Sequence, residues 1–190
     1  MGPLFEEKIF RNDNFSSGKF VTGNYENCQF INCSFANVDV SNCNFIECEF
    51  SRCDLSNIKT INTGFKDVRM EECKILGVHF EHSSTFLMAF HFVSCQLNLS
   101  SFYQLPLKKI IFEKCNLNDV DFTETDLEEA SFNNCDLKNA IFENTNLNKA
   151  DFRSAENYSI NPEINRLKKA KFHSSGLIGL LAHLDISVQM

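Results

Sequence analysis

The amino-acid sequence predicts an all-β fold in which short extended segments turn at corners and stack, coil upon coil. Three observations predict it. An apolar residue recurs at every fifth position over about three quarters of the chain, which is self-similarity on the scale of a repeat architecture. Like residues recur at every twentieth position. The position two before each apolar residue is small in most units, and all nine cysteines occupy it.

The five-residue period rules out simple elements. Taking the apolar residue of each unit as its centre, centres fall at Phe10, Phe15, Phe20, Tyr25, Phe30, Phe35, Val40, Phe45, Phe50 and Leu55, and continue more weakly to Phe80. A second run, displaced by two residues, starts at Phe92 and ends at Phe152. On an α-helix five residues advance about 500°, so the centres would walk around the cylinder and form no stripe. On a strand five residues reverse the face, so the centres would alternate between core and solvent. A short extended stretch followed by a corner restores the direction each time, and four corners bring the chain back above its start.

A 20-residue coil requires columns of like residues. Phe92, Phe112, Phe132 and Phe152 fall on one wall, Leu97, Leu117 and Leu137 on the next, Phe102, Phe122 and Phe142 on the third, and Leu107, Leu127 and Leu147 on the fourth. Stacking in register gives each coil's backbone groups partners in the coils above and below. The large centres crowd the axis, so the position two before them is small: Cys28, Cys33, Cys43, Cys48 and Cys53 early, Cys95, Cys115, Thr125, Ala130, Cys135, Ala140, Thr145 and Ala150 later. Asn or Asp often precedes the centre, as at Asn44, Asp54, Asn116, Asp121 and Asp136, and short polar side chains that bond nearby backbone suit corners. Parallel crossovers are right-handed in about 98% of cases. The predicted fold is therefore a right-handed quadrilateral β-helix of about eight coils with a short C-terminal capping helix.

Residues 1–172 make up the β-helix, with irregularities expected at 58–64, 81–91 and 153–166. Thr60 is a polar centre and Gly64 frees the backbone in the first of these. Phe80 and Phe92 are twelve apart instead of ten, so two residues must bulge from the second. A distorted coil is also expected at "QLPLKKIIF", where Leu105 and Ile110 are large for the small position and Pro106 has no N–H to pair. Residues 173–190 change character. Ser174 or Ser175 can cap a helix that places Leu177, Leu180, Leu181 and Leu184 at i, i+3, i+4 and i+7, with Ile178 as a second flank. Ile186 and Val188 alternate and are expected to form a short strand. A helix of about nine residues cannot bury so many large side chains on one coil end, so a two-fold, tail-to-tail homodimer is expected through Leu177, Ile178, Leu180, Leu181, Leu184, Ile186 and Val188. A monomeric cap is the alternative.

Composition bounds the function. The 190 residues suit one domain with a sizeable core, and 43% hydrophobic with 23% charged residues is ordinary for a globular chain. No run reaches the length of a membrane span and the N-terminus does not read as a signal peptide, so a cytoplasmic protein without membrane contact is expected. Nine cysteines, an odd number, then read as reduced, buried apolar groups, although column neighbours such as Cys33 and Cys53 stand within the Cα distance of a disulfide. His79, His82, His91, His173 and His183 belong to no nucleophile or metal motif, and no phosphate loop or catalytic carboxylate pair occurs. No catalytic residue, metal or cofactor is expected. The net charge of −7 disfavours nucleic acid as a partner. Residues 153–190 hold five basic and three acidic side chains, leaving −9 for the first 152 residues. The densest acidic run is Asp119, Asp121, Glu124, Asp126, Glu128 and Glu129.

The units "CNLND", "VDFTE", "TDLEE", "ASFNN", "CDLKN", "AIFEN" and "TNLNK" resemble the pentapeptide repeat family and its A(D/N)LXX pattern, over roughly residues 8 to 172. The resemblance implies the same right-handed quadrilateral β-helix. The segment "NPEINRLKKAKFHSSGLIGLLAHLDISV" resembles the end of the quinolone-resistance pentapeptide proteins, which implies the tail-to-tail dimer and a DNA mimic that occupies the DNA-binding saddle of bacterial type II topoisomerase, DNA gyrase, with protection from quinolones. A rod of eight coils is about 40 Å long, a length over which duplex DNA carries on the order of 24 phosphate charges. The acidic run is then the partner-binding surface. Two readings stand beside it: acids that keep a Phe-rich rod soluble, and a general interaction scaffold with another protein partner.

Overall fold

The computed structural model describes residues 2–184 and Ile186. Its strands are short: β1 (Leu4–Glu6), β2 (Ile9–Arg11), β3 (Asn24–Glu26), β4 (Gln29–Ile31), β5 (Asn44–Ile46), β6 (Glu49–Ser51), β7 (Gly64–Lys66), β8 (Val68–Glu71), β9 (Phe90–Val93), β10 (Ile111–Glu113) and β11 (Ser131–Asn133). They form two parallel sheets, β1-β3-β5-β7 and β2-β4-β6-β8-β9-β10-β11. The other two walls are joined by single bridges such as Asp54↔Lys74 and Asp121↔Ile141. Phe10 pairs with Phe30, Phe30 with Phe50, and Phe112 with Phe132, so the 20-residue register is the pairing register.

Each wall holds about three extended residues because the residue two past the centre turns into the left-handed region. This holds from Glu7 (φ 53°) and Asn12 (φ 58°) to Lys149 (φ 60°) and Asn157 (φ 59°). Asparagine tolerates that region better than most residues, and Asn27, Asn32, Asn37, Asn42, Asn57, Asn62, Asn134, Asn139 and Asn144 all stand there. The residue before the centre secures the same corner. The Asp39, Asp54, Asp121 and Asn146 side chains accept from the backbone N–H two residues on, at 3.0, 2.9, 2.8 and 3.3 Å.

The shaft is filled by rings stacked along the axis and crossed edge to face between walls. Phe92, Phe112, Phe132, Phe152 and Phe172 follow one another with centroids 5.3, 5.4, 4.7 and 5.3 Å apart. Phe112 meets Phe122 of the opposite wall at 5.9 Å and 73°. Both arrangements satisfy the ring quadrupole and add about 0.5–1.5 kcal/mol per pair to burial. The small inward position is more than small. Its hydroxyl or thiol donates to a carbonyl of the coil before: Thr125 Oγ1 to Phe102 O at 2.8 Å, Thr145 Oγ1 to Phe122 O at 2.8 Å, Cys48 Sγ to Tyr25 O at 3.2 Å. All nine cysteines are buried and free.

Several expectations change. Counted by its longest sheet, the solenoid makes about six turns, not eight, because beyond β11 only the bridges Ser131↔Asp151 and Asp151↔Lys171 continue the wall. Residues 58–64 keep the regular pattern. Thr60 replaces an apolar centre because its hydroxyl donates to His79 O at 2.7 Å, and a Cβ on Gly64 would overlap the Asn44 side-chain oxygen, so that glycine makes room and does not free the backbone. Pro106 does pair, in a parallel bridge with Asp126, whose N–H reaches Leu105 O at 2.9 Å. The missing proline N–H would face the preceding coil, where the chain bulges. That bulge lies between Ser84, which bridges to Gly64, and Phe90, which pairs with Val68, so Phe86 and Leu87 project outward and Phe90 fills the shaft against Phe65 at 5.2 Å.

The C-terminal cap is a 3-10 helix, Ser174–Leu180, followed by a single turn at Ala182–Leu184, and not the α-helix expected. Tyr158 sets this. It is buried against Phe152 and Phe172, and a Cβ on Gly176 or Gly179 would overlap its hydroxyl or its carbonyl, so two glycines, poor α-helix formers, are required there. The cap is His173, whose side chain accepts from the Ser175 N–H, and neither serine.

Two outcomes follow from this packing. Phe132→Ala, between two stacked rings, is expected to lower unfolding free energy by about 3–5 kcal/mol in chemical denaturation, whereas the exposed Ile141→Ala is expected to change it by less than about 0.5 kcal/mol. Burial holds the Cys33 and Cys43 thiols above their ordinary range and pushes Cys48 up to about 12. All nine thiols are buried, so Ellman's reagent at pH 8 is expected to read no thiol in the folded protein and all nine in guanidinium.

Candidate partner-binding surface

A wall residue in this fold has its neighbours twenty positions away, so the acidic run of the sequence meets groups that the linear reading does not show. Asp126, Glu128 and Glu129 share a wall and its corner with lysines of the adjacent coils. Lys108 Nζ stands 3.4 Å from Asp126 and 3.0 Å from Glu128, and Lys149 Nζ stands 3.3 Å from Glu128 and 2.7 Å from Glu129. Lys108 first, then Lys149, holds the Glu128 carboxyl below its ordinary range, and Lys149 does the same for Glu129.

The other three predicted residues lie on different parts of the surface. Asp119 is at the corner before the third wall and accepts from Asn139 Nδ2 at 3.0 Å, Asp121 is on that wall, and Glu124 is at the next corner, accepting from Gln104 Nε2 at 2.6 Å. No lysine or arginine pairs with these three among the described residues. Asp119 and Asp121 edge a shallow depression with Glu81, His79, Leu99 and Tyr103. The six residues therefore split into a neutralised half and a bare half.

A second acidic surface has no counterpart in any dense run. Glu6 pairs in register with Glu26, and Glu7, Glu47 and Asp67 occupy left-handed corner positions of the same edge. Folding at a period of twenty is the only signal that collects them, since in sequence they are spread over sixty residues. At the far end, Leu177, Ile178, Leu181, Leu184 and Ile186 are exposed, while Leu180 is partly buried against the core. Val188 of the expected interface lies outside the described residues, and Ile186 is in no strand. No helix among the described residues is long and apolar enough to cross a membrane.

Stacked five-residue units, a filled shaft and a left-handed corner in most units define a four-sided repeat solenoid whose exposed surfaces are its outer columns. The chain belongs to the pentapeptide repeat family: the pattern of the pentapeptide repeat region matches residues 23–91, 43–122, 84–152 and 105–179. No curated protein matches the chain. Among solved structures it is similar to a trypsin-treated form of QnrB1, a plasmid-mediated fluoroquinolone resistance protein, with TM-score 0.63 at 16% identity, covering 98% of this chain and 100% of that one. It is also similar to HetL of the cyanobacterium Nostoc sp. strain PCC 7120, a pentapeptide repeat protein involved in heterocyst differentiation regulation, with TM-score 0.49, 14% identity, and 88% and 86% covered.

The lysine pairing has a pH consequence. A folded-state pKa held low stabilises the fold at pH values above the ordinary carboxylate value and loses that contribution as pH falls through it. In a carboxyl-detected NMR titration, Lys108→Ala is expected to move Glu128 up toward the ordinary value and Lys149→Ala to move Glu129.

Proposed function

We propose that the protein is a non-enzymatic DNA mimic that binds bacterial type II topoisomerase, DNA gyrase, and confers protection from quinolones. The observation that carries this reading is the set of carboxylates without a basic partner, Asp119, Asp121 and Glu124 on one side and Glu6, Glu7, Glu26, Glu47 and Asp67 on another, set along a rigid rod of the fold that a fluoroquinolone resistance protein also has. Glu6 and Glu26, and likewise Glu47 and Asp67, stand one coil rise of about 4.8 Å apart, while Asp119, Asp121 and Glu124 follow one wall of a single coil, and both groups offer negative charge to a basic DNA-binding surface. Two copies joined tail to tail through Leu177, Ile178, Leu180, Leu181, Leu184, Ile186 and Val188 would double its length, and the exposed apolar cap supports that join.

A second reading, a general protein-interaction scaffold, is favoured by the other half of the acidic run. Lys108 and Lys149 turn Asp126, Glu128 and Glu129 into a surface of mixed sign, which recognises a particular partner better than it imitates a phosphate backbone.

Gyrase supercoiling and ciprofloxacin-dependent cleavage, measured with and without the protein at low and high salt, separate the two. DNA mimicry predicts that both reactions fall with added protein and recover with salt. Asp119→Lys with Asp121→Lys and Glu124→Lys is expected to weaken the effect at least tenfold, and Asp126→Lys much less. Unchanged supercoiling and cleavage at micromolar protein would remove topoisomerase as the target and leave the scaffold reading.

A further inference from the structure

The edge that carries Glu7, Glu47 and Asp67 changes sign along its length. Below the bulge it presents Glu6, Glu7, Glu26, Glu47 and Asp67 against two lysines, Lys66 and, at the open end, Lys8. Above it the same edge presents Lys108, Lys109, Lys149, Arg166, Lys168 and Lys169, with Asp126, Glu128 and Glu129 already paired to Lys108 and Lys149. At the midpoint stand Phe86 and Leu87, 68% and 67% exposed, the most open large apolar side chains among the described residues, with the Lys66 ammonium 5.3 Å from the Phe86 ring.

An apolar knuckle between an acidic and a basic half is complementary to its own reverse. Lay a second copy alongside with its axis reversed and the knuckles in contact. Counting coils outward from the knuckle then puts Asp67 opposite the partner's Lys109 and Glu7 opposite the partner's Lys169, each twice by symmetry. Glu47 falls opposite the partner's Glu129, a carboxylate whose charge Lys149 of its own chain offsets at 2.7 Å. A parallel arrangement would oppose like charges along the whole edge. We propose that this edge is a lateral self-association surface, on which a second copy of the chain packs antiparallel, Phe86 and Leu87 against their counterparts and acidic half against basic half. The contact is small and rimmed by exposed charge, so it is weak and salt-sensitive.

This surface is separate from the tail, and the test keeps the two apart. The full chain carrying Leu181→Asp and Leu184→Asp removes tail pairing, and whether those changes alone lower the mass of the wild-type assembly judges the tail reading. In that background, sedimentation at low salt is expected to show a concentration-dependent monomer–dimer equilibrium that salt dissolves. Phe86→Ser with Leu87→Ser is expected to abolish it. Lys109→Glu with Lys169→Glu, and separately Glu7→Lys with Asp67→Lys, are each expected to weaken it about tenfold. Mixing those last two proteins restores opposite charge at both ends of the contact and is expected to give a heterodimer tighter than either homodimer. All variants change exposed side chains, and unchanged thermal melts establish that they fold. Monomer at every concentration in the tail-blocked chain, or a mixture no tighter than its components, would overturn the proposal.

Discussion

Nearly every wall of this solenoid ends in a residue held at positive φ, and the rest of the structure depends on that constraint. A run of only three extended residues between left-handed corners cannot satisfy its backbone alone, so each coil exists only with others stacked on it in register. The stacking in turn fixes what points inward. Two positions per unit face the axis, one large enough to fill it and one small enough to fit beside it while donating to a carbonyl of the preceding coil. Thr125, Thr145 and Cys48 perform that second task with different atoms in the same geometry. Stability here is a sum over neighbouring coils and owes little to the charged exterior, which leaves the exterior free to vary.

The exterior follows the same arithmetic. Side chains that are neighbours in space are twenty residues apart, so a surface is composed column by column and a linear charge run has little meaning. Asp126, Glu128 and Glu129 read as part of an acidic block until Lys108 and Lys149 arrive from the adjacent coils, whereas Glu7, Glu47 and Asp67 gather only on folding. The bulge at Phe86 and Leu87 comes from the same rule broken once. Two additional residues cannot enter the shaft, so they leave it, and Phe90 takes the vacated place against Phe65.

The period of five, the columns of twenty and the role of all nine cysteines were legible in the sequence, because they are properties of what the axis can hold. The corner was half legible. Asp and Asn before the centre do bond the turning backbone, but the turn itself belongs to the residue two past the centre, where Asn27, Asn32, Asn37 and Asn42 are a visible signal that Glu47, Arg52 and Lys109 then dilute. The C-terminal cap was misread as α-helical because apolar spacing at i, i+3, i+4 and i+7 is set by Leu177, Leu180, Leu181 and Leu184 alone, while the helix type is set by Tyr158 pressing on Gly176 and Gly179 from a distant segment. The charge pattern of the candidate surface was least legible, since it depends on pairs that only the coil register brings together.

The central claim is that a coil of twenty residues, and no other length, is the unit that can be removed without disturbing the stack. Deleting residues 111–130 sets Phe132 directly on Phe92 and returns every wall to register, so circular dichroism and a thermal melt are predicted to report a β-rich, cooperatively unfolding protein, shorter and only modestly less stable. Deleting residues 111–132, two more, is predicted to give a chain without cooperative unfolding, because a wall two residues short cannot reach the next corner, whereas a surplus of two can leave the shaft as it does at Phe86 and Leu87. Equal behaviour of the two deletions, or a folded 22-residue deletion beside an unfolded 20-residue one, would contradict the account.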